Sequence, residues 1–190
     1  MRVLLVNGFG AEAAPAQEIT VARSHLEAKG HEVTVSNLAD EGFDQFMSAA
    51  ERHAYHGDGP LLCAETRRAA DQLQNTQAVA ILYPSTHRCF PARVKSWNER
   101  VFVPGVAFKF KPSGVITGAL DHLDRTLVIS IHRNQSRLPL RTRLAEQARA
   151  AAGPSLARSF YLSSNRVCRS RFTTTAQFDE ATAKRVFRRW

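Results

Sequence analysis

The deciding stretch for the fold is Arg2-Val3-Leu4-Leu5-Val6-Asn7-Gly8-Phe9-Gly10. Its short apolar run ends at glycine, which is typical of a buried β-strand. Residues 15–29 then carry apolar side chains at helical spacing, and Gly30 suits the C-terminal end of that helix. Residues 31–38 alternate between apolar and polar side chains and predict a second strand. This order of strand, helix and strand indicates a parallel sheet covered by helices.

The same alternation continues along the rest of the chain. Further buried strands are predicted at residues 78–83 and 125–131, and a fifth strand near residues 157–162. Helices are predicted at residues 60–75, 90–101, 139–152 and 176–189. Loops are predicted at residues 39–60 and 104–124, which are polar or rich in Gly and Pro. We therefore expect one α/β domain over residues 1–190 with an open, doubly wound sheet.

Composition narrows the class of protein. Hydrophobic residues make up 44% and charged residues 23%, which is normal for a globular chain and excludes wholesale disorder. No apolar run reaches the roughly 18 residues of a membrane helix, and the N-terminal residues show no secretory signal pattern. Cys63, Cys89 and Cys168 have no metal-binding spacing and are odd in number. We therefore expect reduced thiols in a cytoplasmic protein, with no metal site and no membrane partner.

The charge is uneven along the chain. Residues 1–90 carry 7 basic and 11 acidic side chains, whereas residues 91–190 carry 19 basic and 6 acidic ones. A basic half suggests an anionic partner. The basic tail at residues 184–190 is accompanied by no nucleic-acid motif, and arginines there suit the C-terminal end of a helix. We therefore expect an anionic small molecule rather than nucleic acid.

Doubly wound sheets bind ligands beyond the carboxyl ends of their strands, at the switch in strand order. Three residues in the loops at that edge are candidate catalytic residues. His87 and Cys89 suit a base and a nucleophile, since a cysteine near histidine and arginine has its thiolate favoured. The alternative is that Cys89 packs as a small apolar residue and His87 is a solvated loop residue. His132 follows the fourth predicted strand, where a side chain that faces the ligand is expected.

A longer motif follows the third predicted strand. It reads Tyr83-Pro84 and then Phe90-Pro91-Ala92-Arg93-Val94-Lys95-Ser96-Trp97-Asn98-Glu99-Arg100-Val101-Phe102-Val103-Pro104-Gly105-Val106-Ala107-Phe108. This succession resembles the flavodoxin-like NAD(P)H quinone reductase family, which includes the drug-activity modulator type. The supporting segments are Gly30-His31-Glu32-Val33, Gly42-Phe43-Asp44 and Ser48-Ala49-Ala50-Glu51-Arg52, and the likeness covers roughly residues 1–131. It implies a flavodoxin-like three-layer sandwich with five parallel strands in the order 2-1-3-4-5 and helices on both faces.

The resemblance also implies an activity. In this family NAD(P)H reduces a bound flavin, FAD or FMN, and a quinone or similar acceptor takes the hydride, usually in a homodimer. The segment Val106-Ala107-Phe108-Lys109-Phe110 resembles the family's loop that helps to shape the partner subunit's pocket. The cofactor-binding candidates that follow are Asn7, Phe9, Gly10, Pro84, Ser85, Thr86, Arg88, Phe90 and Arg133.

The flavin loops depart from the family pattern. The first loop, residues 7–15 after the first predicted strand, lacks hydroxyl side chains. It contains Glu12 and Pro15, which disfavour a bound phosphate. Polar residues at 85–89 stand where the family has an aromatic platform, and residues 131–137 replace its Gly-Gly.

Two enzyme hypotheses remain open, beside that of a non-enzymatic binding module. In the first, flavin binds and Arg88, Arg133 or Arg137 donates hydrogen bonds to its phosphates. In the second, the rebuilt loops at residues 85–90 and 132–137 take a polar or anionic substrate without flavin.

Overall fold

The computed structural model describes residues 1–10, 16–55, 63–84, 91–131 and 169–190. The strands are β1 (Arg2–Asn7), β2 (Glu32–Asn37), β3 (Ala78–Pro84), β4 (Phe108–Phe110), β5 (Ile116–Gly118), β6 (Arg125–Ile131) and β7 (Arg169–Thr175). The helices are α1 (Gln17–Ala28), α2 (Ala49–Tyr55), α3 (Ala64–Gln74), α4 (Ala92–Val101) and α5 (Glu180–Val186). Within these ranges no helix combines the length and the apolar character needed to cross a membrane.

The large sheet has the strand order β2-β1-β3-β6-β7, and its neighbouring strands are parallel. β1, β3 and β6 are buried over most of their length, because helices cover both faces of the sheet. Alternate side chains of each strand therefore enter two separate cores. Leu4 and Val6 pack with α3 and α4, whereas Val3 and Leu5 pack with α1 and α5. The result is the predicted three-layer α/β arrangement.

Helix α1 ends where the sequence predicts. Gly30 follows its C-terminal end with a φ of +79°, a left-handed conformation that glycine adopts at little cost. The backbone N–H of Gly30 donates to the carbonyl oxygen of Glu27 at 2.9 Å, so the turn supplies a donor to one of the last helical carbonyls. This turn leads the chain directly into β2.

The prediction of a loop over residues 39–60 was wrong at its centre, where α2 forms. Ser48 and Glu51 make a capping box: the Glu51 N–H donates to Ser48 Oγ at 3.1 Å, and the Ser48 N–H donates to Glu51 Oε2 at 2.7 Å. The Ser-x-x-Glu spacing was present in the sequence. The helix was missed because it buries no residue, so its apolar spacing is weak.

The prediction of a loop over residues 104–124 was also wrong, because β4 and β5 form a small antiparallel sheet there. Their turn is closed by Gly114, whose φ is +79° and whose N–H donates to the Lys111 carbonyl at 2.8 Å. The predicted inventory of five strands is therefore incomplete. The strand beside β6 is Arg169–Thr175, whereas the predicted strand at 157–162 and the predicted helix at 139–152 lie outside the described residues.

The last helix is shorter than predicted. α5 begins after Asp179, whose side chain accepts a hydrogen bond from the Thr182 N–H at 2.8 Å and so caps the first turn. The predicted start at residue 176 is instead extended chain and bend, because the cap fixes the first helical residue. α5 packs on α1 through Phe187, which is fully buried.

The contact between α1 and α5 generates a prediction of pH-dependent stability. The His25 ring stacks on Phe187 with 6.1 Å between ring centroids, and burial, followed by the charges of Lys29 and Lys184, lowers the pKa of His25. The unfolded chain therefore takes up the proton first, so stability declines as the pH falls from about 6.5 through the lower folded-state pKa. We expect the His25→Gln variant to lose less unfolding free energy than the wild type between pH 7.5 and pH 5.5 in urea titrations.

The exposed Ser24, next to His25 on α1, provides the control. The Ser24→Ala variant should keep the wild-type pH dependence, because it removes no titratable group. An unchanged pH dependence in His25→Gln would contradict the assignment. Some dependence should remain in that variant, because burial also lowers the pKa of His31.

Candidate functional site

The carboxyl ends of the parallel strands meet at one edge of the large sheet, where this kind of fold binds ligands. Asn7 ends β1 opposite Asn37 of β2, and Pro84 ends β3 opposite Ile131 of β6. The structure thus places two predicted cofactor-binding residues, Asn7 and Pro84, on this edge.

Asn7 is a buried anchor for the first loop. Its side-chain amide donates to Asn37 Oδ1 at 2.9 Å, and its Oδ1 accepts a hydrogen bond from the Phe9 N–H at 3.0 Å. Asn37 is held in turn, because its N–H donates to Glu41 Oε1 at 3.1 Å. The described contacts of Asn7 therefore position the loop. Phe9, which was predicted to bind the cofactor, has its ring in the core.

Gly8 forms the tightest approach in the loop, although the sequence prediction did not single it out. Its N–H donates to the Leu82 carbonyl at 2.8 Å. A Cβ added to Gly8 would lie 2.5 Å from Val94 Cγ2 and 2.8 Å from Tyr83 Cβ, so no side chain fits without displacing β3 or α4. The sequence signal for this close approach was a glycine placed directly after a buried strand.

Gly10, a predicted cofactor-binding residue, is exposed and lies beside a cation. A Cβ built on Gly10 would be 3.8 Å from the Nη1 atom of Arg93, at the start of α4. The Nε of Arg93 donates to Asp44, and the Arg93 side chain is 31% exposed. Arg93 belongs to the motif after the third strand but was not among the predicted site residues. A basic residue in the first turn of the helix after the third strand was the signal that pointed there.

The segment that follows β2 is tied to α4 and forms one side of this edge. Ser96 Oγ donates to the Gln45 carbonyl, and the Lys95 ammonium lies 5.6 Å from the centre of the Phe46 ring. Together with the pair of Arg93 and Asp44, these contacts connect the first two turns of α4 to residues 44–46. Residues 44–46 of the predicted loop at 39–60 are therefore packed against the site.

A largely buried ion pair ties α2 to α4 further along that helix. Arg100 Nε donates to Glu51 Oε1 at 2.9 Å, and both side chains are about one-tenth exposed. Burial by itself would raise the pKa of Glu51, but hydrogen bonds from Ser48 and Arg100 outweigh it and hold the pKa below its ordinary value. Arg100 of the motif therefore has a structural role, with Glu51 as its acid.

Tyr83 lies just below the edge, at the end of β3. It pairs in register with Ser130 of β6, and it is almost fully buried. Burial raises the pKa of Tyr83 to about 12, and a hydrogen bond with Ser130 offsets part of that rise. The phenol therefore stays neutral at physiological pH.

An acidic side chain lies at the start of α1. Glu18 lies in the first turn of the helix and is 7% exposed. A carboxylate there is favoured by the helix dipole, and it disfavours a second anion in the same turn. The N-cap residue Ala16 has no side chain that could add a donor.

The remaining predicted site residues fall outside the part of the chain that the structure describes. The catalytic candidates His87, Cys89 and His132 are among them. The binding candidates among them are Ser85, Thr86, Arg88, Phe90 and Arg133, with Arg137 and the disfavouring Glu12 and Pro15. Among the residues that are described, no group of three or more His, Cys, Asp or Glu side chains is arranged to hold a metal ion.

Comparison with known proteins adds a family and several structures. A family model for the flavodoxin-like fold matches residues 1–152. An NAD(P)H:quinone oxidoreductase from Methanothermobacter marburgensis is 17% identical, with a TM-score of 0.72 and coverage of 100% of this chain and 94% of that one. An FMN-dependent NADH-azoreductase from Bacillus anthracis, solved with FMN, is 16% identical, with a TM-score of 0.64 and coverage of 96% and 88%.

A third structure, the protein Smu.1420 from Streptococcus mutans, is 20% identical, with a TM-score of 0.65 and coverage of 99% of this chain and 96% of that one. No match was found among curated proteins. At these identities the structural likeness establishes the fold.

The two loop glycines should respond differently to the same substitution. We expect Gly8→Ala to lower the free energy of unfolding by about 1–3 kcal/mol, because the new methyl group overpacks against Val94 and Tyr83. Gly10→Ala is the matched control, since its methyl group meets Arg93 at ordinary contact distance. Urea denaturation of both variants measures the difference, and equal stability of the two would contradict the close approach at Gly8.

Proposed function

We propose, on the premise that the chain belongs to the family with the flavodoxin-like fold, that it is a flavin-dependent oxidoreductase. NAD(P)H is the proposed reductant, and a quinone or a related acceptor is the proposed oxidant. The names of two structural relatives, a quinone oxidoreductase and an FMN-dependent azoreductase, support the proposal. The observation that carries the proposal is the loop after β1, in which Gly8 packs closely on β3 and α4 and Gly10 lies beside the Arg93 guanidinium.

The described residues of this edge fit a flavin nucleotide, FMN or FAD. Phe9 is buried and Gly10 is exposed without a side chain, so a ligand has access to the loop backbone. Arg93 offers a guanidinium to a phosphate group. We propose that Asn7 and Pro84 complete this part of the site. The further binding residues that we propose are Ser85, Thr86, Arg88, Phe90 and Arg133.

A bound flavin would supply two-electron hydride chemistry, while the chain supplies binding, orientation and electrostatics. Asn7 holds the loop through its two hydrogen bonds and so keeps the binding surface in one conformation. Tyr83 forms a neutral wall beneath the edge, because its phenol stays protonated. We propose that His87, Cys89 and His132 hold or move a proton at the acceptor.

One observation favours a second candidate, a flavin-independent enzyme that acts on a polar or anionic small molecule. The buried carboxylate of Glu18 occupies the first helical turn after the first loop, where it disfavours the phosphate of a nucleotide. In this candidate Arg93 binds the anionic group of the substrate, and His87, Cys89 and His132 carry the chemistry.

Retention of flavin tests the function directly. We expect the purified, desalted protein to be yellow, or to become yellow after incubation with FMN or FAD, and to oxidise NAD(P)H when a quinone is added. Chromatography of the heat-released flavin identifies which of the two is bound. Colourless protein that retains neither flavin would overturn the proposal. Assays of His87→Ala and His132→Ala on polar substrates would then test the second candidate.

We also propose that the protein is a cytoplasmic homodimer that uses the β4–β5 hairpin as its contact. Phe110, Val115 and Ile116 are each more than half exposed on this short element. A cluster of large apolar side chains on a small surface element is typical of a contact between proteins.

A charge placed on the hairpin should separate the two copies. We expect Ile116→Glu to convert a dimer into a monomer in light scattering coupled to size-exclusion chromatography, because a buried unpaired charge is strongly unfavourable. Phe46→Ser, which removes an exposed aromatic residue elsewhere on the surface, should leave the dimer intact. A monomeric wild type, or a dimeric Ile116→Glu variant, would contradict the proposed contact.

A further inference from the structure

The first loop needs a cation if it is to hold a phosphate. The usual source of positive potential at such a loop is the N-terminus of the following helix. In this chain the first turn of α1 contains the buried Glu18, and Ala16 provides no capping hydroxyl. A phosphate in that turn would meet a carboxylate, so the helix end is a poor anion site here.

Arg93 places a cation on the other side of the same loop. Its Nη1 lies 3.8 Å from the position of a Gly10 Cβ, so the guanidinium stands beside the exposed backbone of Gly10. Because Gly10 has no side chain, nothing from that residue separates the guanidinium from a group bound over the loop. Arginine is suited to this position, since its planar fork can make two parallel hydrogen bonds to a phosphate.

Asp44 holds this guanidinium in place. The Arg93 Nε donates to Asp44, which lies in the segment that packs along α4 through Gln45 and Phe46. The bond uses the inner nitrogen, and the Nη1 nitrogen is the one beside Gly10. Among the described residues no acid other than Asp44 pairs with Arg93 within 4 Å. The arginine is thus oriented while the outer part of its fork is presented to the loop.

We infer that Arg93, oriented by Asp44, is the phosphate anchor of the site, in place of the N-terminus of α1. The inference rests on the proposed function, and it specifies which group of the flavin nucleotide this edge recognises. The ligand chemistry is a phosphate with two oxygens toward the guanidinium.

Comparison of FMN with riboflavin, which lacks the phosphate, tests the inference. Dissociation constants are measured by quenching of flavin fluorescence for the wild type, Arg93→Ala and Arg93→Lys. We expect Arg93→Ala to weaken FMN binding about tenfold to a hundredfold, which is the usual effect of losing charge-assisted hydrogen bonds. Riboflavin binding should change less than about threefold. Arg93→Lys should lie between, because it keeps the charge and loses the fork.

The control is Arg68→Ala, which removes an exposed arginine from α3, beside Arg2 and Glu32 at the opposite end of the strands. It changes the net charge equally and should leave both affinities unchanged. Circular dichroism and the melting temperature without ligand show whether each variant is folded. Equal loss of FMN and riboflavin affinity in Arg93→Ala and Arg93→Lys, or no loss in either variant, would overturn the inference.

Inorganic pyrophosphate separates failure of this inference from failure of the proposed function. If the wild type binds neither FMN nor riboflavin, the proposed flavin function is wrong. The change in melting temperature on adding pyrophosphate then tests whether Arg93 binds an anion. A stabilisation that is present in the wild type and in Arg68→Ala but lost in Arg93→Ala supports Arg93 as an anion anchor. A shift that is absent, or that persists in Arg93→Ala, overturns it.

Discussion

The close approach of Gly8 to β3 and α4 is the constraint on which the site depends. The Gly8 N–H donates to the Leu82 carbonyl, and there is no room for a methyl group at Gly8. The chain therefore stays in close contact with β3 and α4 at the point where it leaves β1. Asn7 then holds the next turn, and Gly10 emerges at the surface beside Arg93. If the loop stood further from the sheet, the guanidinium and the loop backbone would no longer share one surface. Packing at a single residue thus sets the geometry of the whole edge.

Much of the fold follows from apolar spacing, whereas the site does not. The strands β1, β3 and β6 form continuous apolar runs because both of their faces are buried, and α4 has apolar residues at helical spacing because one of its faces packs in the core. α2 has no fully buried side chain, and β4 belongs to a separate two-stranded sheet with β5, so neither has the pattern that a core imposes. The contact of Arg93 with the first loop joins residues more than eighty positions apart. It forms because the first turn of α4 lies beside that loop in the folded chain, and a single basic residue after the third strand was its only trace in the sequence.

The uneven charge of the chain is partly used inside the fold. Arg93 and Arg100 come from the basic half, and they pair with Asp44 and Glu51 from the acidic half. These pairs fasten the segment after β2 to α4. The two pairs differ in role because they differ in burial: the inner one is enclosed and structural, whereas the outer one is open to solvent at the ligand edge. α4 therefore holds the segment after β2 in place through Arg100 and presents the cation Arg93 at the ligand edge.

The strand order has a consequence for biosynthesis. β1 lies between β2 and β3, and its pairing with β3 joins residues seventy-five positions apart, since Val3 pairs in register with Ala78. On the ribosome β1 can pair with β2 early, but its other edge stays open until β3 has emerged. An open edge of Leu and Val is prone to pairing with other nascent chains. Slowing of translation between the codons of residues 38 and 77 would lengthen that exposure, so the yield of folded protein should depend on the speed of synthesis in this interval.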